Sequence, residues 1–335
     1  MMERTRESAV TVAEWAERWW LPVIRTQVKA STFDSYRRIL DLHVLPRIGE
    51  VALAELSPRQ ITAMYVDLLE RGRRNGDVTG LSSKSVHNVH IVVHKLLADA
   101  VDDELLVVNP SDRAKRPRSA SAAQKEMGFW EPAELARFLA AVCGTPLAPL
   151  WHLAAMTGMR RGELLGLRWT DIDFERARVA IRRNLVSVSY RLEETTPKNR
   201  QARVVDLDVE TLAVLRAHRR VQARELARAA DRSQDSRVFC RADGSPLHPD
   251  SVSQTFERLV KSADVPRIRL HDLRHTHATL ALRAGVPTKI VSERLGHATP
   301  EFTMRQYQHA IPGMQAEAAE QIAALVAAAS RSSGG

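Results

Sequence analysis

Apolar side chains in the first third of the chain recur every three or four residues, a spacing that predicts amphipathic helices. The first helix is expected to begin at Thr11, because Thr11 and Glu14 form a capping-box pattern ahead of the apolar positions. A second helix begins near Ser31 and is expected to end before residues 45–49, where the sequence LPRIG interrupts the spacing. The chain therefore opens with two predicted helices.

Two further helices follow in the same region. Ser57 and Pro58 are typical of an N-cap and a first helical turn, and Gly72 is placed to end that helix. The next apolar run predicts a helix over residues 83–102. Residues 10–110 are therefore predicted to form an all-helical first domain.

The periodic pattern stops beyond this domain and then returns. Residues 111–125 are rich in Pro, Ser, Ala and basic side chains, which is typical of a linker between domains. Four later segments regain a period, two of them helical and two strand-like: residues 131–142, 147–156, 178–181 and 203–207. The predicted fold is mainly α with a small antiparallel β-sheet, which lies in an α+β second domain over residues 126–312.

The charge balance suggests a polyanionic partner. Lys and Arg number 49 against 40 Asp and Glu, which gives a net charge of +9. A basic surface of this kind favours nucleic acid, although many basic proteins bind none. Six side chains in the last helix of the first domain and in the linker are candidates for phosphate contacts: Lys84, His87, Lys95, Arg113, Lys115 and Arg116. Simple solvation of a charged face is the alternative for all six.

The cysteines and the N-terminal segment narrow the expected location. Cys143 and Cys240 form no C-x-x-C pair, which argues against a disulfide framework and against a cysteine zinc site. Residues 1–20 mix acids and bases without a long apolar run, so neither a signal peptide nor a membrane span is expected. The expected location is the reducing cytoplasm.

Four segments of the second domain carry side chains suited to phosphate chemistry. They read TGMRRGE, TPKNRQARVV, HDLRHTHATL and LGHATPEFTMRQY. Their candidate residues are two arginines, two histidines, a lysine, a glutamate and a tyrosine: Arg160, Glu163, Lys198, His271, Arg274, His297 and Tyr307. Lys198 is the one lysine between Lys125 and Lys261, so it is the single candidate if the sheet must supply an ammonium group.

A zinc site is the competing interpretation of the third segment. His271 and His275 have the i, i+4 spacing of the H-E-x-x-H motif. However, Asp272 stands at the glutamate position, no third ligand is apparent, and Arg274 would place a cation in the same turn. No metal site is predicted, and a metal-dependent nuclease or hydrolase is disfavoured for the same reason.

Taken together, the segments resemble the tyrosine recombinases of the phage integrase family. The patterns T-G-x-R-x-G-E, H-x-L-R-H-T, L-G-H and a following Tyr occur in the family's order, at residues 157–163, 271–276, 295–297 and 307. Residues 36–49 and 81–110 also resemble the core-binding domain of phage-type integrases. The resemblance therefore covers most of the chain and implies two domains that clamp duplex DNA.

The resemblance gives each candidate side chain a role. It implies that Tyr307 is the nucleophile of a 3′-phosphotyrosyl intermediate, that Arg160 and Arg274 clamp the phosphate, and that Lys198 is the general acid. It further implies an acid/base and binding role for His271, a phosphate hydrogen bond from His297, and a supporting role for Glu163, which would orient a neighbouring catalytic side chain. The hairpin around Lys198 lacks the Thr and Ser that the family commonly carries there.

The implied activity is site-specific recombination that integrates or excises a phage or another mobile element, in a bacterial cytoplasm at the nucleoid, without cofactor, metal or ATP. The implied partners are double-stranded attachment sites, accessory proteins that set direction or bend DNA, and three further copies of the chain in a tetramer on two duplexes. Residues 313–335 would form a tail helix that docks on a neighbouring copy. The alternatives are a chromosome-dimer-resolving recombinase, a type IB topoisomerase-like enzyme and a non-catalytic DNA-binding regulator.

Overall fold

A computed structural model describes residues 10–72, 80–116, 128–196, 202–227, 237–297, 299–307, 319–320 and 322–324. The chain divides into two compact units. The first comprises residues 1–126 with 188–190, and the second comprises the remainder. The predicted fold class, mainly helical with small antiparallel sheets, is confirmed. Among the described residues, no helix has the length and apolar character needed to cross a bilayer.

Helical segments supply most of the regular structure of residues 10–116 in the first unit. Its segments are α1 (Val12–Glu14), a π-helical stretch (Trp15–Trp20), α2 (Leu21–Gln27), α3 (Ala30–Ile39), a second π-helical stretch (Leu40–Val44), α4 (Leu45–Ile48), a 3-10 turn (Leu53–Glu55), α5 (Pro58–Arg71), α6 (Ser83–Asp102) and a 3-10 turn (Pro110–Arg113). The predicted capping box at Thr11, which pairs with Glu14, and the predicted N-cap at Ser57 are confirmed. Ser57 also forms a capping box with Gln60.

One predicted boundary in this unit is wrong. The second helix was expected to end before residue 45, but the chain stays helical to Ile48 and turns at Gly49. Pro46 lies in the first turn of α4, where a helix tolerates the missing N–H, so the proline does not stop it.

The core of the first unit gathers around α6. Trp15 donates from Nε1 to the carbonyl oxygen of Leu96 at 3.1 Å, and Trp20 donates to the Asp99 carboxylate at 2.6 Å. Tyr65 is fully buried and its hydroxyl meets Nδ1 of His90 at 2.8 Å. These bonds satisfy the polar atoms of large aromatic side chains whose rings fill the core.

The second unit joins helices to two small sheets. Its elements are α7 (Pro132–Ala141), α8 (Ala148–Thr157), α9 (Arg161–Leu165), a 3-10 turn (Trp169–Asp171), β1 (Ile172–Asp173), β2 (Arg178–Ile181), β3 (Asn184–Val188), β4 (Arg191–Thr195), β5 (Arg203–Asp206), α10 (Val209–Leu226), α11 (Pro249–Ser262), α12 (Asp272–Arg283), α13 (Thr288–Leu295) and α14 (Pro300–Tyr307). The antiparallel sheet has the order β1-β2-β5, with Val179 opposite both Ile172 and Val205, and β3 pairs with β4.

In the core of the second unit α8 packs against α12. The helix α8 ends shortly before Arg160, and α12 carries Arg274. Four buried aromatic side chains form its centre, and neighbouring ring centroids lie 4.8 to 6.0 Å apart: Trp130, Phe138, Trp151 and Phe256. Burial of each such side chain stabilises the fold by about 1.5–3 kcal/mol. The candidate site therefore rests on packed helices rather than on a surface loop.

Candidate active site

A left-handed glycine places the first arginine of the site. Gly158 ends α8 with φ +62°, and a Cβ atom there would lie 2.6 Å from Cδ2 of Leu295 and 2.9 Å from Cδ2 of His277. Only glycine accommodates both the backbone angle and the close approach. The turn that follows sets Arg160 at the N-cap of α9, so its side chain reaches the interior of the site.

The Glu163 carboxylate is buried between two guanidinium groups. Arg160 donates to it from its backbone N at 2.9 Å and from Nη1 at 2.8 Å, and Arg203 donates from Nη1 and Nη2 at 2.9 and 2.7 Å. Burial raises the pKa of this carboxyl, but the hydrogen bonds and charge of Arg203, and then of Arg160, lower it to about 2. The ionised Glu163 therefore fixes the orientation of both arginines.

Arg203 is a site residue that the sequence analysis missed. It opens β5, its side chain is 11% exposed, and its Nε donates to the carbonyl oxygen of Arg294 at 2.8 Å. Arg203 shares the inner side of β5 with the buried Val205, while Val204 between them is exposed. A charge on the inward side of a strand indicates a buried ion pair. That signal was present in the sequence.

Arg274 is the most enclosed cation of the site, with 3% exposure. Its Nη1 donates to the carbonyl oxygen of Gly158 at 2.7 Å and its Nη2 to that of Leu295 at 2.6 Å. Burial, followed by the charges of Arg160 and Arg203, lowers the pKa of the guanidinium to about 9, so it stays protonated at neutral pH. No carboxylate of the described residues forms an ion pair with Arg274. Its charge and its remaining N–H groups can therefore serve an anion.

A second left-handed glycine packs the turn after α13 onto these arginines. Gly296 has φ +65°, and a Cβ atom there would lie 3.0 Å from Nη1 of Arg203. Its carbonyl oxygen accepts from Nη2 of Arg160 at 3.1 Å. Next to it, His297 pairs through Nδ1 with the hydroxyl of Thr303 at 2.7 Å. Burial, then Arg274 and Arg160, lowers the pKa of His297 to about 3, so its imidazole is neutral.

Tyr307 and two histidines of the α12 region, His271 and His275, lie close to Arg274. Tyr307 is 1% exposed, and its hydroxyl lies 2.7 Å from Nδ1 of His275. Burial raises the pKa of the phenol to about 12, against the opposing charge of Arg274. The exposed His271 lies edge-on to His275, with ring centroids 5.3 Å apart. Partial burial and then Arg274 lower the pKa of His271.

His275 is the second residue that the sequence analysis misjudged, because it was weighed there only as a zinc ligand. In the structure its ring contacts the Tyr307 hydroxyl. Within the described residues, no group of three His, Cys, Asp or Glu side chains is placed to hold a metal ion.

The remaining candidates belong to the first unit or fall outside the described residues. Lys198 falls outside the described residues, as does most of the predicted tail. Of the six candidates for phosphate contacts, five are exposed: Lys84, His87, Arg113, Lys115 and Arg116. The sixth, Lys95, pairs with Asp99 at 3.1 Å, so part of its charge is neutralised locally.

The ionisation of Glu163 predicts a measurable pH dependence. Its contribution to stability, about 3 kcal/mol, is fully present above its unfolded pKa near 4.5 and is lost as the pH falls toward its folded pKa of about 2. Glu163→Gln should therefore lower the free energy of unfolding at neutral pH by about 3 kcal/mol or more, since two buried guanidiniums lose their counter-charge. The gap between the two proteins should shrink below about pH 4.5.

Urea titration would measure the difference in the free energy of unfolding between the two proteins. Hydrogen exchange in peptides around α9, used as the probe, would report on the second unit by itself. A gap that stays constant down to the lowest pH at which both proteins fold would contradict the account.

Each of the two units matches a known protein family or domain. Residues 129–313 match the phage integrase family, and residues 11–69 match the phage integrase N-terminal SAM-like domain. The ICEBs1 integrase of Bacillus subtilis is 29% identical over 298 residues, which cover 88% of this chain and 78% of that protein. A tyrosine recombinase XerC-like protein of Caldanaerobacter subterraneus is 28% identical over 93% of this chain and 82% of that protein.

A solved structure shares the fold. The Tn1549 transposon integrase in complex with a circular intermediate DNA superposes with a TM-score of 0.75 at 20% identity, over 93% of this chain and 99% of that chain. At this identity the likeness concerns the fold alone.

Proposed function

The chain belongs to the phage integrase family, and on that premise we propose that it is a site-specific recombinase that cleaves and rejoins DNA through a 3′-phosphotyrosyl bond to Tyr307. The observation that carries the proposal is the cluster of Arg160, Arg203 and Arg274 around the Gly296 turn, with the buried Tyr307 hydroxyl beside it. Such a cluster suits a phosphodiester, because negative charge builds on the non-bridging oxygens in the transition state.

The proposed chemistry divides into binding, attack and release. Arg160 and Arg274 meet the non-bridging oxygens with fixed donors, and His271 and His297 add hydrogen bonds to the same phosphate. Tyr307 attacks phosphorus, and Lys198 gives its proton to the departing 5′ oxygen. The phosphotyrosyl ester keeps the energy of the broken bond, so a DNA hydroxyl can reverse the attack without ATP.

We further propose that the DNA exchanged belongs to a mobile element. The name of the Bacillus subtilis relative, an integrase, supports this choice. The XerC-like relative, at similar identity, supports the second candidate, a recombinase that resolves chromosome dimers. The two differ in their substrates, because an integrase joins two different attachment sites whereas a resolving enzyme acts on two copies of one site.

The proposed partners follow from that substrate. The chain would act in the bacterial cytoplasm as a tetramer on two duplexes, with accessory proteins that set direction or bend DNA. The exposed basic side chains of the first unit, from Lys84 to Arg116, would contact the phosphate backbone, and residues 313–335 would dock on a neighbouring copy.

Sequencing of recombination junctions tests the proposed function. The purified protein is incubated with plasmids that carry its own genomic flanks, in excess chelator and without nucleotide. We expect reciprocal junctions between two different sites, because guanidiniums rather than cations neutralise the phosphate. Junctions between identical sites alone would favour the dimer-resolving alternative. Activity that appears only on addition of a divalent metal would contradict the proposal.

Lys198 can be tested although it lies outside the described residues. Lys198→Ala should cleave ordinary DNA poorly and recover on DNA whose 5′-bridging oxygen is sulfur, because a thiolate leaves without a proton. Arg160→Ala, the matched control, should stay impaired on both substrates, since the charge on the non-bridging oxygens still needs its guanidinium. Equal failure of both variants on the sulfur substrate would remove Lys198 from the general-acid role.

A further inference from the structure

One buried contact of the site is left without a role by the chemistry above. The hydroxyl of Tyr307 lies 2.7 Å from Nδ1 of His275, the two ring centroids are 5.7 Å apart, and both side chains are almost fully enclosed. A phenol that attacks phosphorus must lose its proton, and in this structure the phenolic oxygen lies within hydrogen-bond distance of an imidazole nitrogen. We propose that His275 is a catalytic residue, the base that accepts the Tyr307 proton in the cleavage step; this rests on the function proposed above.

A neutral imidazole ring is able to accept a hydrogen bond from the phenol. Burial and then His271 lower the pKa of His275 to about 4, against the opposing carboxylate of Asp272. The other charged or titratable groups that face the ring are Arg274 and Arg269 beside it, His297 from the turn after α13 and Tyr307 from α14. In the tautomer that carries its proton on Nε2, the neutral ring presents a lone pair at Nδ1, so the phenol donates and the imidazole accepts.

The other two histidines are less suited to the task. Nδ1 of His297 is already paired with the Thr303 hydroxyl at 2.7 Å. His271 is exposed and meets His275 rather than the phenol, at a ring separation of 5.3 Å. Among the described residues, His275 is the one hydrogen-bond partner of the Tyr307 hydroxyl. His271 therefore keeps its proposed place at the phosphate.

The proton balance of the step is complete with this assignment. The bond between the Tyr307 oxygen and phosphorus forms as the bond from phosphorus to the 5′ oxygen breaks. The phenolic proton passes to Nδ1 of His275, while the 5′ oxygen takes a proton from Lys198. The imidazolium that results faces the bound phosphate, whose negative charge stabilises it. In the reverse step each proton returns to its donor, so rejoining needs no further reactant.

The first experiment measures the rate of covalent adduct formation on a nicked suicide substrate. His275→Ala should bind the DNA but form the adduct at least about 100-fold more slowly than the wild type, and added imidazole should raise the rate by occupying the vacated space. His90→Ala is the matched control, because His90 is also buried and its Nδ1 also meets a tyrosine hydroxyl, at 2.8 Å. Imidazole should not stimulate cleavage by that variant.

The pH profile separates proton transfer from mere positioning. Wild-type cleavage should stay level from about pH 6 to about pH 8, because the base is already neutral there. In His275→Ala the rate should rise about tenfold for each pH unit, since solvent must then ionise a phenol with a pKa of about 12. His275→Asn keeps a hydrogen-bond acceptor but cannot take the proton, so it should behave like the alanine variant.

Two results would overturn the inference. One is cleavage by His275→Ala at the rate of the wild type. The other is a rate restored by His275→Asn with no pH slope, which would show positioning alone. In both cases the wild-type adduct would still support recombinase chemistry, whereas a wild-type chain that forms no adduct would overturn the proposed function as well. Slow, pH-dependent and imidazole-stimulated cleavage by His275→Ala, with no imidazole effect on His90→Ala, would support His275 as the base.

Discussion

Replacement of Arg274 by lysine is expected to slow DNA cleavage by about 100-fold to 1,000-fold. The guanidinium holds the carbonyl oxygens of Gly158 and Leu295 while further N–H groups remain for a phosphate. An ammonium group is a point charge that cannot donate in all these directions, so the charge would be kept while the geometry is lost. Single-turnover cleavage of a suicide substrate would measure the rate.

Arg283→Lys provides the control on the same helix. Arg283 pairs with Glu131 at 2.7 Å and is a third exposed, so its replacement should leave cleavage unchanged. Binding of half-site DNA by the Arg274→Lys variant would establish that it folds. Cleavage within a few-fold of the wild type by that variant would remove Arg274 from the phosphate clamp.

Removal of one oxygen atom in Tyr307→Phe is expected to abolish the covalent protein–DNA adduct while DNA binding persists. The variant loses the proposed nucleophile and the hydrogen bond to His275, which costs about 1 kcal/mol of stability, too little to unfold a packed domain. A denaturing gel of the suicide-substrate reaction would reveal the adduct, and a gel shift would measure binding.

Tyr65→Phe is a close control for this variant. Tyr65 is equally buried and its hydroxyl also meets Nδ1 of a histidine, His90, so the same atom and the same kind of bond are lost in the first unit. Cleavage by Tyr65→Phe should continue. Loss of the adduct in both variants would indicate that destabilisation, and not the missing nucleophile, explains the result.

Local signals in the sequence predicted much of the fold. The capping box at Thr11 and the N-cap at Ser57 are read from neighbouring residues, and the helix over residues 83–102 follows from an apolar period. Such patterns lie within a single helix, so they can be read without knowledge of the tertiary contacts. Pro46 shows the limit, because whether a proline ends a helix depends on the turn in which it falls.

The site was predictable as far as its motifs reach along the chain. The segments around Arg160, Arg274 and Tyr307 were recognised by their resemblance to the motifs of the family. Arg203 and His275 were not assigned, because their meaning lies in partners distant in sequence. The carboxylate that Arg203 binds is 40 positions away and the phenol that His275 contacts is 32 positions away. Tertiary packing brings these pairs together; α12, for example, packs against α13, which leads into α14.

Identification of the side chain that carries the DNA would show whether Tyr307 forms the covalent bond. The wild-type protein is reacted with a suicide substrate, digested with protease and nuclease, and analysed by tandem mass spectrometry. We expect a nucleotide phosphate on the Tyr307 oxygen and on no other side chain. A nucleotide found on Tyr190, on a serine or on a histidine, with Tyr307 unmodified, would contradict it.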